Sequence, residues 1–549
     1  MLRIFAITLA ISASIFGAMA QDIDSMIGGM SRREKIAQII IDAAYSKESP
    51  EKLASHEKLA QSGLGGLIVM DDDLAPCMEM LNTLQQKAQI PMLVSIDGEW
   101  GASMRFYEFA SFPKAMQMGA LPSEELVYEA GKAIGEELAQ IKIFANYAPV
   151  VDINNNPANP VIGVRSFGED REKVAAYGSA YMRGMKDGGV AGSAKHFPGH
   201  GDTNVDSHKG LPVLEFNRSR LDSLELYPFR RLIADGVDMV MVGHLSVPAL
   251  DPSGTPASIS EPIVTGLLRK ELGFQGIIIT DALGMKGVAT DYGDASVAAY
   301  KAGADILLMP QNAAKTIEDL DKLFKNGELE EAELDTRVRK VLSLKKRLGM
   351  LAEGYSPIVA PSEAVRYSFR PKTEALIQRI SDESMTVVKG NEVLPMPKGK
   401  TAYVAVNSAT PESEQFFLEL CKETFPADRF CLEGDFGKPE IEALKEKLKG
   451  YDQVIIGLHS GTPVKRSGGP RRETLITEEQ FEAMGEWAKE AGNVTGILFG
   501  NPYKLIDLQA YKFFKTFIVA YSDTAFNNRA AARAITRGGA KGQLPVSID

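Results

Sequence analysis

From residue 31 to about residue 350, short apolar runs rich in Ile, Val, Leu and Met alternate with amphipathic stretches. That alternation, β-type runs separated by segments of helical period, predicts repeated βα units. The runs are Gln38–Asp42, Gly66–Met70, Met92–Asp97, Ile143–Val151, Val190–His196, Asp238–His244, Ile277–Asp281 and Ala304–Met309. Eight parallel strands with intervening helices predict an α/β fold of the (β/α)8 type, a TIM-like barrel whose chemistry gathers at the C-terminal strand ends. Asp97, Asp152, Lys195, His196, His244 and Asp281 fall at or just after these runs, where Gly, Asn or Ser is more usual. Glu330–Leu348 carries Lys345, Lys346 and Arg347 near its end, is followed by Gly349, and reads as the last barrel helix.

Beyond the barrel, residues 352–372 lose periodicity and contain Gly354, Pro357, Pro361 and Pro371, the composition of a linker. Residues 373–549 then predict a smaller α/β sandwich domain with an open sheet. Its strand candidates are Thr401–Val406, Gln453–Leu458, Val494–Phe499, Phe514–Ala520 and Leu544–Ile548, with helices at Ile441–Leu448 and Glu478–Ala491. At the other end, Arg3, the apolar stretch Ile4–Gly17 and the small-x-small triplet Ala18-Met19-Ala20 predict a secretory signal peptide over 1–20. The catalytic barrel is then 21–351, and a periplasmic or secreted location is expected. The apolar run is shorter than the ~20 residues of a spanning helix, so no membrane span is expected.

Composition narrows the classes. The chain is 44% hydrophobic and 24% charged, which excludes disordered, fibrous and multispanning proteins. Its 61 Lys and Arg stand against 72 Asp and Glu, a net charge of -11. No overall positive field exists to hold nucleic acid or an anionic membrane. Three cysteines are too few for a disulfide framework; a Cys421–Cys431 bridge and unpaired thiols are the two alternatives.

The densest chemistry lies in Lys195 to His208, K-H-F-P-G-H-G-D-T-N-V-D-S-H, which holds three of the six histidines. Pro198, Gly199 and Gly201 forbid a regular helix, so His196 and His200 are not a helical metal-binding pair. Asp206 and His208, two apart, share one side of an extended segment. A carboxylate beside an imidazole fixes its tautomer and suits it to act as acid and then base; a plain solvated loop is the alternative. A metal hydrolase using His196, His200, Asp202, Asp206 and His208 has suitable ligand types but lacks H-E-x-x-H and leaves Asp281 without a role. Asp281 ends G-F-Q-G-I-I-I-T-D-A-L-G-M, where it is a nucleophile, a metal ligand or a helix cap. Arg165, in I-G-V-R-S-F-G-E-D, and Asp152 suit sugar hydroxyls or a surface salt bridge equally well. No G-x-S-x-G supports serine hydrolysis.

The Lys195–His208 segment, N-P-A-N-P-V-I-G-V-R-S-F-G-E-D and the strand ending at Asp281 together resemble glycoside hydrolase family 3, in particular its β-N-acetylglucosaminidases. The resemblance covers about 31–350. It extends more weakly to F-G-N-P-Y at 499–503 and the terminal L-P-V-S-I-D, which are similar to the family's C-terminal domain. It implies a retaining hydrolase with Asp281 as nucleophile and His208, partnered by Asp206, as acid/base. It also implies sugar contacts from Asp97, Arg105, Arg165, Lys195 and His196, and a carbohydrate substrate carrying terminal β-linked GlcNAc, on peptidoglycan fragments or chito-oligosaccharides. No cofactor or metal is expected. A departure stands at 97–105, D-G-E-W-G-A-S-M-R, where Gly98 and Trp100 replace the family's usual Gln and Gly.

Most glycosidases use two carboxylates, whereas the acid here is a histidine, a side chain that ordinarily titrates near 6.5. Glu99 and His200 are the next candidates for that role. Histidine acids also occur in relatives that transfer the sugar to phosphate. Glycines 199, 201 and 210 flank the segment and suit it to move as a lid.

Overall fold

The computed structural model describes residues 23–288, 294–368, 370–407, 411–423, 427–434, 436–459 and 476–548. The expected signal peptide lies outside the described residues. Strands β1 (Ile40–Ala44), β2 (Gly66–Val69), β3 (Leu93–Ile96), β4 (Ala145–Asn146), β5 (Ala191–Phe197), β6 (Met239–Val242), β7 (Ile277–Thr280) and β8 (Leu307–Leu308) form one parallel sheet in the order 7-6-5-4-3-2-1-8. All eight fall within or overlap the predicted runs. Their continuous apolar character follows from burial on both faces, inside the barrel and against the outer helices.

Asp305 closes the barrel between β7 and β8. The backbone N–H groups of Asp305 and Ile306 donate to the Ile278 carbonyl at 2.7 and 3.1 Å, and Thr280 N–H donates to Ile306 O at 3.2 Å. The buried Asp305 carboxylate accepts from Ile278 N–H at 2.8 Å, from Arg269 at 2.5 Å and from Lys340 at 3.0 Å. One side chain thus ties the seam to a helix on either side.

The second sheet contains β9 (Thr386–Lys389), β10 (Thr401–Val406), β11 (Ala427–Leu432), β12 (Gln453–His459), β13 (Val494–Phe499) and β14 (Thr516–Val519), in the order 11-10-12-13-14-9. Only β9 is antiparallel to its neighbour. Ala402, Val404 and Val406 face one apolar core with Phe481 and Trp487, while Tyr403 and Ala405 face another with Phe416 and Ile535. The period-2 alternation of β10 therefore builds a three-layer sandwich.

Two expectations need correction. The segment 352–372, read as aperiodic linker, contains the helix Pro361–Ser368. Leu544–Ile548 is not a strand, because β9 already occupies the sheet edge beside β14. Its backbone groups turn instead to the barrel, where Pro545 O accepts from Glu169 N–H at 3.1 Å. Of the two alternatives for Cys421 and Cys431 the structure has the unpaired thiols. Among the described residues no helix is long and apolar enough to cross a membrane.

The two sheets meet across a buried polar junction. Gln117 of the barrel donates to Ser384 at 3.0 Å and accepts from Asn527 at 3.0 Å and Ser522 at 3.1 Å.

Removing Asp305 leaves Arg269, Lys340 and the Ile278 N–H without their shared acceptor. Asp305→Ala is expected to lower stability by about 3–5 kcal/mol, the usual cost of stranding a buried charge. Urea titration followed by far-UV circular dichroism reads this, and a loss below about 1 kcal/mol would show that the seam does not rely on the pair.

Candidate active site

Strand β5 carries Lys195 and His196 in succession. A regular strand sends neighbouring side chains to opposite faces. Here three steps along β5, Ala194 to Phe197, match two along β6, Val240 to Val242, and this irregularity lets both side chains join one network.

Lys195 donates to Asp97 Oδ1 at 2.9 Å and lies 2.9 Å from Glu99 Oε1. Asp97 also accepts from Arg105 at 3.1 Å. Glu99 forms a two-pronged pair with Arg165, through Nε at 2.9 Å and the terminal nitrogen at 2.7 Å. Arg165 then lies 3.4 Å from His196 Nε2. On the other side of that ring, Nδ1 meets Asp152 Oδ2 at 2.7 Å, and the backbone N–H of His200 donates to Asp152 Oδ1 at 2.6 Å. Because a carboxylate only accepts, His196 carries its proton on Nδ1 and offers Nε2 to Arg165.

The charges sustain one another. Burial opposes ionisation of Glu99, but Arg165 and Lys195 outweigh it and hold the carboxyl well below its usual range. Burial likewise opposes Asp97, and Lys195 and Arg105 overcome it. At Asp152 the opposing influence is His196, then His200. Glu99 is therefore an ionised partner of two cations, which removes it as an alternative proton donor. His200 is removed on other grounds. Burial pushes its imidazole down to about 4, so it is neutral near pH 7, with Nδ1 2.7 Å from the Thr203 hydroxyl.

Asp281 follows β7 and is half-buried. Its backbone N–H donates to Val242 O at 2.9 Å, and its Oδ1 accepts from Ala282 N–H at 2.8 Å. Burial works against its charge, but the fields of His244 and His196 together with the Ala282 N–H keep the carboxyl below its ordinary value. Asp281 is thus both a local backbone cap and a carboxylate facing the network. His244, noted at the end of its strand but given no chemistry by the sequence, is held in one tautomer. Its Nε2–H donates to Ala282 O at 3.0 Å, so Nδ1 accepts from Ser258 at 2.6 Å.

Asp206 and His208 pair as their spacing predicts. Asp206 Oδ1 accepts from His208 Nδ1 at 2.8 Å and from the His208 backbone N–H at 2.9 Å. The imidazole is 65% exposed while Asp206 is 19% exposed, so the ring projects from an anchored base. Among the described residues no hydrogen bond links this dyad to the Lys195 network. Its loop is tethered instead by Gly287, whose N–H donates to Ser207 O at 3.2 Å. A Cβ at Gly287 would lie 3.0 Å from Ser207 O and 3.1 Å from His244 Cβ, so glycine sets how closely the loop after β7 approaches the dyad.

The five side chains weighed as metal ligands are divided among other partners. His196 is held by Asp152, Asp202 by Arg220 at 3.1 Å, and Asp206 by His208. Among the described residues no three metal-binding side chains gather. Trp100 packs against the barrel core, with Lys114 Nζ 5.2 Å from its ring centroid. His459, in the second domain, is fully buried between Asp523 at 2.9 Å and the Tyr403 hydroxyl.

The depressed carboxyls make stability pH-dependent with a definite sign. Asp97, Glu99, Asp152 and Asp281 bind protons less readily folded than unfolded, so their contribution is present above the unfolded range near 4 and is lost as pH falls through the folded values. Below about pH 5 urea midpoints should decline, and Glu99→Gln should decline less steeply than the wild type. Identical acid slopes for the two proteins would show that Glu99 carries no folded-state shift.

Residues 31–344 match the glycosyl hydrolase family 3 N terminal domain. Beta-hexosaminidase A of Pseudoalteromonas piscicida is 32% identical over 448 residues, 74% of this chain and 73% of that protein. A beta-N-acetylglucosaminidase/beta-glucosidase of Cellulomonas fimi is 29% identical over 513 residues, 87% of each. The solved structure of a glycoside hydrolase family 3 beta-N-acetylglucosaminidase from Paenibacillus sp. str. FPU-7 superposes with a TM-score of 0.76 at 31% identity, covering 95% of this chain and 99% of that one. With the family's domain spanning most of the barrel and its architecture continuing through the second sheet, the chain belongs to glycoside hydrolase family 3.

Proposed function

We propose that the protein is an exported, retaining exo-β-N-acetylglucosaminidase that removes terminal β-linked GlcNAc from peptidoglycan fragments or chito-oligosaccharides. The observation that carries this reading is the pairing of two differently prepared groups. Asp281 is a carboxylate held ionised beneath the barrel mouth, and His208 is an exposed imidazole braced at Nδ1 by Asp206. An ionised carboxylate is what attack on an anomeric carbon requires, and an oriented imidazole is what protonation of a leaving oxygen requires.

In the first step Asp281 attacks C1, the C1–O bond to the leaving sugar breaks, and His208 gives that oxygen a proton. Water then attacks C1, His208 takes its proton, and Asp281 leaves, so the anomeric configuration is retained. Asp97, Arg105, Arg165, Lys195 and His196 supply donors and acceptors for the terminal sugar, with Asp152 holding His196. The relative named beta-hexosaminidase A and the solved structure of a beta-N-acetylglucosaminidase support the choice of sugar. The signal-like residues 1–20 support a reaction in the periplasm or outside the cell.

Asp281→Ala is expected to abolish turnover while the folded far-UV spectrum is kept, and the wild type should release the β-anomer first. NMR of the initial product checks this, and an α-anomer would overturn the retaining step. Running GlcNAc-MurNAc and chitobiose with phosphate present separates hydrolysis from phosphorolysis, since a sugar phosphate as main product would replace the hydrolase reading.

His208→Ala should lose ~10²–10⁴-fold in kcat/KM on sugar leaving groups and far less on activated aryl groups, which depart without a proton. Asp206→Ala should show a milder form of the same pattern. Equal losses across a leaving-group series would take the acid role away from His208.

A further inference from the structure

The segment between β4 and the following helix, residues 152–170, delivers Asp152 at one end and Arg165 near the other. Its ends are tied together, since Asn154 N–H donates to Gly168 O at 2.9 Å and the Ser166 hydroxyl donates to Asp152 O at 2.6 Å. On the barrel side Asn159 donates to the carbonyls of His200 and Gly201, both at 2.9 Å. The segment is also held from the second domain. The buried Tyr503 hydroxyl donates to the Asn154 carbonyl at 2.5 Å and accepts from the Asn154 side-chain amide at 3.3 Å.

A second contact reinforces the first. Tyr503, Val546 and Met116 form a small apolar cluster of their own, and Val164 and Ile506 pack against it. Val164 lies in the turn Gly163–Arg165, so the residue next to Arg165 is seated on the second domain. A third contact lies at Gly168, whose φ of +138° suits glycine and where a Cβ would stand 2.3 Å from Pro545 O. The segment therefore has no freedom to shift without leaving Tyr503, Val546 or Pro545.

We propose that Tyr503 is a positioning residue that braces the 152–170 segment, and through it sets Arg165 against Glu99 and the bound sugar. This rests on the reading of Arg165 as a sugar contact. The second domain then contributes to catalysis without supplying an acid, a base or a nucleophile. Tyr503 touches no reacting atom; it acts by fixing where the guanidinium stands, and misplacement on the ångström scale is costly to rate.

The test is kcat and KM for a chromogenic N-acetylglucosaminide and for chitobiose with the full-length wild type, Tyr503→Phe, Arg165→Lys and the double variant. Tyr503→Phe keeps the ring in its apolar cluster and deletes only the hydroxyl. The expected result is a ~10-fold loss of kcat/KM in the wild type and less than about twofold in the Arg165→Lys background, because the brace has nothing left to position. A Tyr503→Phe that melts earlier but keeps wild-type kcat/KM at 25 °C is domain glue only and overturns the proposal. Equal losses in both backgrounds overturn it as well. If Arg165→Lys alone leaves kcat/KM unchanged, the reading of Arg165 falls and the brace falls with it, an outcome distinct from failure at Tyr503. Should Tyr503→Phe not fold, Gly168→Ala presses the same segment away from Pro545 of the second domain and is judged by the same criteria.

Discussion

Lys195, buried, and Arg165, part-buried, are two cations beneath the barrel mouth, and the site exists only because carboxylates meet them there. Taking an ion from water costs several kcal/mol even in a relaxed protein, so neither cation is tolerable alone. Asp97 and Glu99 share Lys195, Glu99 spans to Arg165, and Arg165 turns His196 toward Asp152. Counted with Asp281 and Arg105, the named groups comprise four carboxylates and three cations. His200 and His244, both pushed down by burial, add dipoles rather than compensating charge. The surplus is negative, and it lies where a glycosidase develops positive charge on the sugar.

The same economy explains why the dyad is kept apart. Asp206 and His208 make their own pair on an exposed loop, outside the hydrogen bonds of the Lys195 network. Under the proposed acid/base role His208 gains and loses a proton in each cycle, and the edge of a charged cluster suits that better than its interior, where neighbouring charges fix the state.

Much of this was legible because barrel strands are apolar on both faces and end in polar residues that a scaffold has no reason to choose. Asp97, Asp152, Lys195, His196 and Asp281 stand out in that way, and the Asp-x-His spacing survives into geometry unchanged. Other features were hidden by their physics. Strand β11 reads A-D-R-F-C-L, an edge strand in which Asp428 and Arg429 interrupt the apolar signal, and β9 is a single short edge strand. Leu544–Ile548 has the composition of a strand but docks as irregular chain, since pairing depends on which edge is vacant and not on the segment itself. Glu99 looked like a spare acid because its partners, Arg165 and Lys195, are distant in sequence. The irregularity in β5 that brings Lys195 and His196 together leaves no mark in the residues.

Tyr503 and Asn154 are separated by 349 positions, so the contact between them is among the last that a growing chain is able to make. The final barrel strand is complete at Leu308, and Tyr503 follows 195 residues later. At the usual ~5–20 residues per second of synthesis, that interval lasts roughly 10–40 s. Throughout it the nascent barrel carries all eight strands while the segment bearing Arg165 lacks its contacts with Tyr503, Val546 and Pro545. Settling of the edge that carries Arg165 is thereby delayed until the second domain has been made, and a truncated product would resemble the enzyme in its barrel while lacking its finish.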